Sequence, residues 1–285
     1  MSRVRELFTF SVEREDVGWK SLLCKQQCRY SGKQCFKVRK SQAHVSIGTC
    51  TVQYGADEKD VIICPHRLLE RKQIFTDCLH LLTSHQPGNE LHLVAEVPIP
   101  GGSVDYFLVS TDANRKVKDF VGIELQTMDT TGTVWPEREL ALQELGLKKN
   151  VAEPEKAFGM NWKMTAKTIL VQLHHKIDTF ESINKHLVLV VQDHLLDYMK
   201  REFAFNHVSP QPLIGDAMHF HSYKLKKDGK DYKLVLDSRY STDSTGISKL
   251  LGLNANANIG FEEIARILES KISDFTVFSA VIRCE

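Results

Sequence analysis

Six of the seven cysteines lie between Cys24 and Cys78, and the seventh is Cys284. An odd count argues against a disulfide framework of the kind that small secreted folds use in place of a core. Crowding at one side of the chain asks for a local cause. Cys28, Cys35, Cys50 and Cys64 stand in the spacing C-x6-C, x14, C-x13-C, followed by Pro65. Four thiolates suit one tetrahedral zinc or iron ion. Gly32 and Gly48 would let the backbone turn close to that ion and aim amide hydrogens at sulfur. Such a metal would staple a stretch too irregular to build its own core. The competing reading is four free thiols packed as small apolar groups; the polar, basic character of the stretch weighs against it. Cys24, one helical turn before Cys28, competes as a ligand. Cys78 falls on the apolar face of an expected helix and reads as core.

The chain has 285 residues, of which 42% are hydrophobic and 26% charged, enough for one large or two modest domains with a real core. No run approaches the roughly 18 to 20 apolar residues of a membrane span. Met1 to Arg14 lacks the apolar stretch of a secretory signal, so a cytoplasmic location is expected. The net charge of +1 excludes little, because a nucleic-acid binder needs only a local basic face. Basic residues cluster at Lys33, Lys37, Arg39 and Lys40, and again at Lys224, Lys226, Lys227, Lys230 and Lys233. Taken alone, each cluster reads first as a solvated face or hairpin edge.

Along the chain, residues 1–85 read as an irregular, cysteine-bearing segment that ends in an amphipathic helix over Leu68 to Thr83. Residues 86–285 read as a mixed α/β core. Strands are expected at Glu90 to Ile99, Ser103 to Val109 and Asp119 to Met128, then a loop through Gly132, Trp135 and Pro136. A helix follows at Trp162 to Thr179, a buried strand at Lys185 to Val191, and a helix at Asp193 to Phe203. Ala217 to Lys226 and Lys230 to Arg239 form a hairpin around Asp228-Gly229. A helix at 260–273 and a strand at 275–283 close the pattern. The expected fold class is α/β (α+β), a central mixed sheet flanked by helices with a metal-stapled N-terminal segment, the two segments forming one compact unit.

The chemistry-bearing residues sit in the second and third strands of that core. Asp105 lies among Val104, Tyr106 and Phe107, and Glu124 lies in the next apolar strand. Buried carboxylates are costly unless paired or bound to metal. Side by side on antiparallel strands they would offer hard oxygen ligands to Mg²⁺. Gln126, two residues on, projects from the same face as Glu124. Its amide would hold a water and cannot act as a strong base, which leaves proton removal to the metal site or the phosphate. Glu96, across the Pro-Gly-Gly turn, adds a further carboxylate or a second-metal ligand. The chemistry suggested is in-line attack of a metal-activated water on a phosphodiester. Taken blind, a set of satisfied polar residues in a sheet explains the same pattern.

The stretch Gly122-Ile-Glu124-Leu-Gln126-Thr-Met128-Asp129-x-x-Gly132 resembles the active-site strand of NotI-like restriction endonucleases, a PD-(D/E)xK nuclease family with Glu-x-Gln at this place. A second block resembles that family's four-cysteine segment: Cys28-Arg-Tyr-Ser-Gly32-Lys-Gln-Cys35-x-Lys37-x-Arg39-Lys40-Ser41, Gly48-Thr-Cys50 and Cys64-Pro65-His66-Arg67. Together these blocks span about 120 residues on the N-terminal side. Arg29 departs from the family, which often has proline after the first cysteine. The resemblance implies a type II restriction endonuclease, cutting palindromic double-stranded DNA as a homodimer. It implies that Asp105, Glu124 and Gln126, with Glu96, are catalytic, that Asp105 and Glu124 hold Mg²⁺, and that the four cysteines hold iron rather than zinc. Candidates for DNA contact are Lys37, Arg39, Lys40, Arg67 and the loop around Asn254, Asn256 and Asn258.

Rival readings are a repair or nicking nuclease on the same core, a catalytically inactive DNA-binding protein, and a redox protein built on an iron–thiolate centre. The pairs His174-His175 and His219/His221 lack a third ligand and read as structural or DNA-facing. Trp19, Trp135 and Trp162 read as packing residues.

Overall fold

The computed structural model describes residues 2–152 and 156–253, with 266 and 270. The expected helix at 260–273, the strand at 275–283, Cys284 and the Asn254–Asn258 loop lie outside the described residues, apart from those two positions.

The N-terminal segment is more regular than its sequence suggests. Strand β1 (Val4–Leu7) turns through Phe8 and Thr9, both at positive φ, into β2 (Phe10–Ser11). Helix α1 (Trp19–Lys25) leads to a small hairpin, β3 (Val38–Arg39) and β4 (Gln42–Ser46). Strands β5 (Thr49–Tyr54) and β6 (Lys59–Ile62) complete a four-stranded sheet of order β2-β1-β5-β6. These strands are too short for alternation to register as a period.

The helix expected over Leu68 to Thr83 is broken into pieces: a 3-10 segment at Pro65–Lys72, a single turn α2 (Gln73–Thr76), and another 3-10 turn at Leu79–Leu81. Glu70 takes ψ 121°, and Arg71 and Lys72 take φ 50° and 56°, so the helical path stops there. The cause is anchorage. Glu70 accepts the Leu234 amide and the Arg67 guanidinium, and Arg67 is tied in turn to Glu6 of β1. The apolar set still buries as the spacing implied: Leu68, Ile74, Phe75, Cys78 and Leu81 pack on one face of the main sheet.

That main sheet begins with β7 (Glu90–Ile99), β8 (Gly102–Thr111) and β9 (Val117–Gln126), an antiparallel meander. The two-residue strand β10 (Thr130–Thr131) and helix α3 (Trp135–Glu144) follow, then β11 (Gly159–Met160), which pairs with β10. Helix α3 lies where a loop was expected. Pro136 at its N-terminus suits the first turn of a helix, and Ala141 and Leu142 bury against β1 and α1.

Helix α4 (Trp162–Ser182) crosses over to β12 (His186–Gln192), which lies parallel to β9. Every residue of β12 is buried, as a central strand with parallel neighbours on both sides requires. Helix α5 (Asp193–Glu202) then leads to β13 (Met218–Asp228), parallel to β12, and to β14 (Asp231–Thr242) across the turn Gly229-Lys230. Helix α6 (Ser244–Leu250) is capped by Asp243, whose carboxylate accepts the Gly246 amide. The result is mixed α+β: a six-stranded sheet of order β14-β13-β12-β9-β8-β7 between α4 and the broken helical turns.

Helix α4 sets the site. Its apolar stripe, Ala166, Ile169, Leu170, Leu173, Ile177 and Phe180, packs on Leu187, Leu189 and Val191. It sits close to β9 because Gly122 has no side chain; a Cβ there would lie 2.5 Å from the Phe180 ring. Val52, Val61 and Ile63 of the N-terminal segment join this same core.

Candidate active site and thiol cluster

The strand registers line up three carboxylates. Tyr106 lies opposite Ile123, so the same antiparallel register carried one residue further sets Asp105 opposite Glu124. Ala95 and Val97 lie opposite Tyr106 and Val104, which sets Glu96 opposite Asp105. The row therefore runs from exposed Glu96 through half-buried Asp105 to buried Glu124. Glu96 has φ 55°, a local irregularity at the end of the row.

Hydrogen bonds fix the inner two. Asp105 Oδ2 accepts the Leu125 amide at 2.8 Å. Glu124 Oε1 accepts from Lys176 Nζ of α4 at 2.6 Å, and the same ammonium donates to the Ser103 carbonyl at 2.6 Å. Burial pushes the Glu124 carboxyl up to about 7, against the Lys176 bond, and the Asp105 charge adds to the rise. Burial likewise raises Asp105, opposed by the Leu125 amide and Lys176 and reinforced by Glu96. The inner pair thus shares a low-dielectric setting in which each carboxylate is held above its ordinary range.

The turn between β7 and β8 is shaped to admit α4. Gly101 has φ +91°, and a Cβ there would lie 2.0 Å from the His175 carbonyl; a Cβ on Gly102 would lie 3.1 Å from Lys176 Cε. Gln126 shares the face of Glu124 as expected, but its amide nitrogen is engaged with the Thr127 carbonyl at 2.7 Å.

The four cysteines are buried, 2 to 7% exposed, and not joined by disulfides. Cys50 pairs with Cys64 and Cys28 with His66, while Cys35 stands against backbone groups of Lys37 and Gly48. The hydrogen bond from Cys50 lowers the Cys64 thiol to about 6 despite burial, while that bond and burial push Cys50 up. Burial raises Cys28, yet His66 and the amides of Ser31 and Tyr30 outweigh it and leave the thiol below its ordinary range. Burial raises Cys35 against the amides of Lys37 and Gly48. Backbone amides aimed at sulfur are the setting of thiolate ligands, so the donor chemistry fits a thiophilic ion. As they stand, no three His, Cys, Asp or Glu donors among the described residues form a group that holds a metal. Gly48, at φ +69°, packs directly under the Phe8 ring, which a Cβ would strike at 2.4 Å.

No protein-family model matches the chain, and no curated protein does. Among solved structures, SfsA of Pyrococcus furiosus in complex with Ca²⁺ is similar at 10% identity, over 68% of this chain and 71% of that one, with a TM-score of 0.31.

The candidates for DNA contact divide. Arg67 is fully buried, so it is no DNA contact; it holds Glu6 through Nε at 2.8 Å and Glu70 through Nη1 at 2.8 Å. Lys37 is half-buried and donates to the Ile63 carbonyl. Arg39 stacks on Trp135 at 4.4 Å, and Lys40 is exposed beside it. Arg138 covers Trp135 as well, at 4.6 Å. Trp19 is buried, and Trp162 stacks on Tyr198. His219 and His221 are both buried on β13, facing the helical turns; His219 Nε2 bonds the Asp216 carbonyl, and His221 Nδ1 lies 3.8 Å from Cys78 Sγ. His174 lies 3.4 Å from the Ser248 hydroxyl, and His175 is exposed.

Sequence spacing alone does not tie Lys176 to the carboxylates. A signal was present: it lies three residues after Leu173 and seven after Ile169, on the buried stripe of α4, where a lysine needs an acidic partner.

Proposed function

We propose that the chain is a divalent-metal-dependent endonuclease of the PD-(D/E)xK kind, hydrolysing phosphodiester bonds in double-stranded DNA, and that it acts as a homodimer on palindromic sites as NotI-like restriction endonucleases do. The observation that carries this reading is the row Glu96, Asp105, Glu124, with its two inner carboxylates side by side on β8 and β9, both raised by burial. Like charges crowded into a sheet are unfavourable for folding and suit a cation-dependent reaction.

Asp105 and Glu124 would hold Mg²⁺. The Leu125 amide takes one Asp105 oxygen and Lys176 takes one Glu124 oxygen, which leaves one oxygen of each carboxylate for a cation. When bound, the ion supplies charge neutralisation at the phosphate and acidifies a water. Asp105 is oriented by its amide bond, so its free oxygen is fixed in direction before substrate arrives. Gln126 is assigned water orientation through its side-chain oxygen, since its nitrogen is held by the Thr127 carbonyl. Arg39 and Lys40, on the exposed hairpin, are assigned to DNA phosphates, which position the duplex without reading its sequence. The four-cysteine cluster is assigned a structural iron or zinc ion.

The test is cleavage of a long mixed-sequence DNA with Mg²⁺ and with EDTA, wild type beside Glu124→Ala. Discrete fragments that require both Mg²⁺ and Glu124 are expected. Absence of cleavage, or a smear that survives Glu124→Ala, would remove the catalytic claim.

A further inference from the structure

Lys176 reaches the carboxylate row from a different element, 52 residues away in sequence. It is 4% exposed, and two of its ammonium hydrogens are committed at 2.6 Å, to Glu124 Oε1 and to the Ser103 carbonyl. Strand β9 carries no cation of its own at this point. Position 126 holds an amide, and that amide is turned to the Thr127 carbonyl rather than toward Glu124. The approach of α4 depends on Gly101 and Gly102, whose missing side chains make room for the His175 carbonyl and the Lys176 stem. The turn, the helix and the lysine thus form one arrangement that ends at Glu124.

We infer that Lys176 is the positioning cation of the hydrolytic site: it holds one oxygen of Glu124 in place and supplies from helix α4 the positive charge that Gln126 does not bring to the strand. This rests on the nuclease reading above. The ammonium is a strongly hydrated point charge on a flexible stem, and here both features are constrained by burial and by the Ser103 carbonyl. Fixing Glu124 in one rotamer keeps its other oxygen directed for a divalent ion beside Asp105. The same ammonium also competes with that ion for Glu124, because both are cations seeking the same carboxylate. A residue in this role opposes cation binding while favouring the reaction.

That opposition gives the test. Mn²⁺ binding is followed by titration calorimetry, and DNA cleavage by single-turnover kinetics in Mn²⁺, for wild type, Lys176→Met and Lys176→Arg. Circular dichroism establishes that each variant is folded. Lys176→Met is expected to bind Mn²⁺ at least as tightly as wild type, with a severalfold gain, yet to cleave roughly 10²-fold more slowly or worse, the scale of losing one preorganised electrostatic contact. Lys176→Arg, which keeps the charge, is expected to recover part of the rate. Cleavage by Lys176→Met at the wild-type rate would overturn the inference and leave the nuclease reading intact. Loss of both Mn²⁺ binding and cleavage in Lys176→Met, with no recovery in Lys176→Arg, would also overturn it, because a mere packing strut behaves that way. A wild type that binds Mn²⁺ and cleaves no DNA would overturn the nuclease reading, and this inference with it.

Discussion

Arg67 shows how burial reverses the reading of a single residue. Beside Cys64-Pro65-His66 it reads as a free cation available to DNA. Its actual partners, Glu6 and Glu70, lie on β1 and in the same 3-10 segment, and the Tyr232 carbonyl completes the shell. Nothing local in the sequence announces Glu6, which sits 61 residues away. Removing one partner of a buried ion pair leaves an uncompensated charge, which costs about 3–5 kcal/mol. Arg67→Ala is expected to lose that much in urea unfolding; a loss under about 1 kcal/mol would mean that Glu6 and Glu70 are readily neutralised or rehydrated. The buried histidines make a pH-dependent counterpart. Burial, reinforced by His186, pushes His219 down to about 4, and burial with Arg239 pushes His221 well below its ordinary value. The unfolded chain therefore takes up these protons first as the pH falls. Their neutral forms are compatible with folding above about pH 6.5, and stability is lost as the pH drops from there towards about 4. For His219 this amounts to roughly 3 kcal/mol at most. His219→Gln, which cannot be protonated, is expected to show a flatter stability profile across that window; an unchanged slope would mean that His219 does not titrate differently on folding. By contrast, the adjacency of Asp105 and Glu124 is legible in the sequence, since both stand in apolar strands that pair antiparallel, while a catalytic role for them enters only through the resemblance. Lys176 is not legible there, because its meaning depends on which strand α4 covers.

Among the elements, periodicity served well where a single face is buried over several turns. Helix α4, strand β12, helix α5 and the β13–β14 hairpin all lie where their spacing places them, within a few residues. It failed in two ways. Helix α3 was missed because its apolar residues are few and bury only at Ala141 and Leu142. Over Leu68 to Thr83 the spacing reads as one helix because the burial period survives a backbone break that Glu70 and Arg67 impose. The contact between α4 and β9 offers a direct check of element packing. Gly122 is there for closeness, not conformation, since its Cβ would lie 2.5 Å from the Phe180 ring. Gly122→Ala is expected to cost about 1–3 kcal/mol by overpacking. Phe180→Leu in the same chain should relieve part of that cost, so the double variant is expected to be more stable than the two single losses added together. Strict additivity would mean that β9 and α4 accommodate the methyl group by moving apart.

For the whole molecule, the sequence changes character near residue 85 and packing runs across that point. Val52, Val61 and Ile63 bury in the same core as α4 and β12, while Leu68, Ile74 and Leu81 cover the other face of the main sheet. The first segment also holds all four clustered cysteines, so a thiophilic ion there would tie its strands and loops together while they support the sheet. Two outcomes of metal removal can then be separated. If the segments fold as one unit, stripping the ion with a strong chelator lowers the temperature of a single unfolding transition. A loss of 1 kcal/mol shifts the midpoint by about 2–4 °C for a domain of roughly 150–250 residues, so a structural ion should move it by well over that. If residues 1–85 fold as an independent metal-stapled module, the chelated protein instead melts in two steps, the first reporting on that module alone. The shared core makes the single, lowered transition the expected result, with Cys35→Ser reproducing it in the absence of chelator. Calorimetry of the protein as purified, after chelation and in the Cys35→Ser variant decides between them. Identical melting in all three would mean that the thiols pack as apolar groups and that no ion supports the fold.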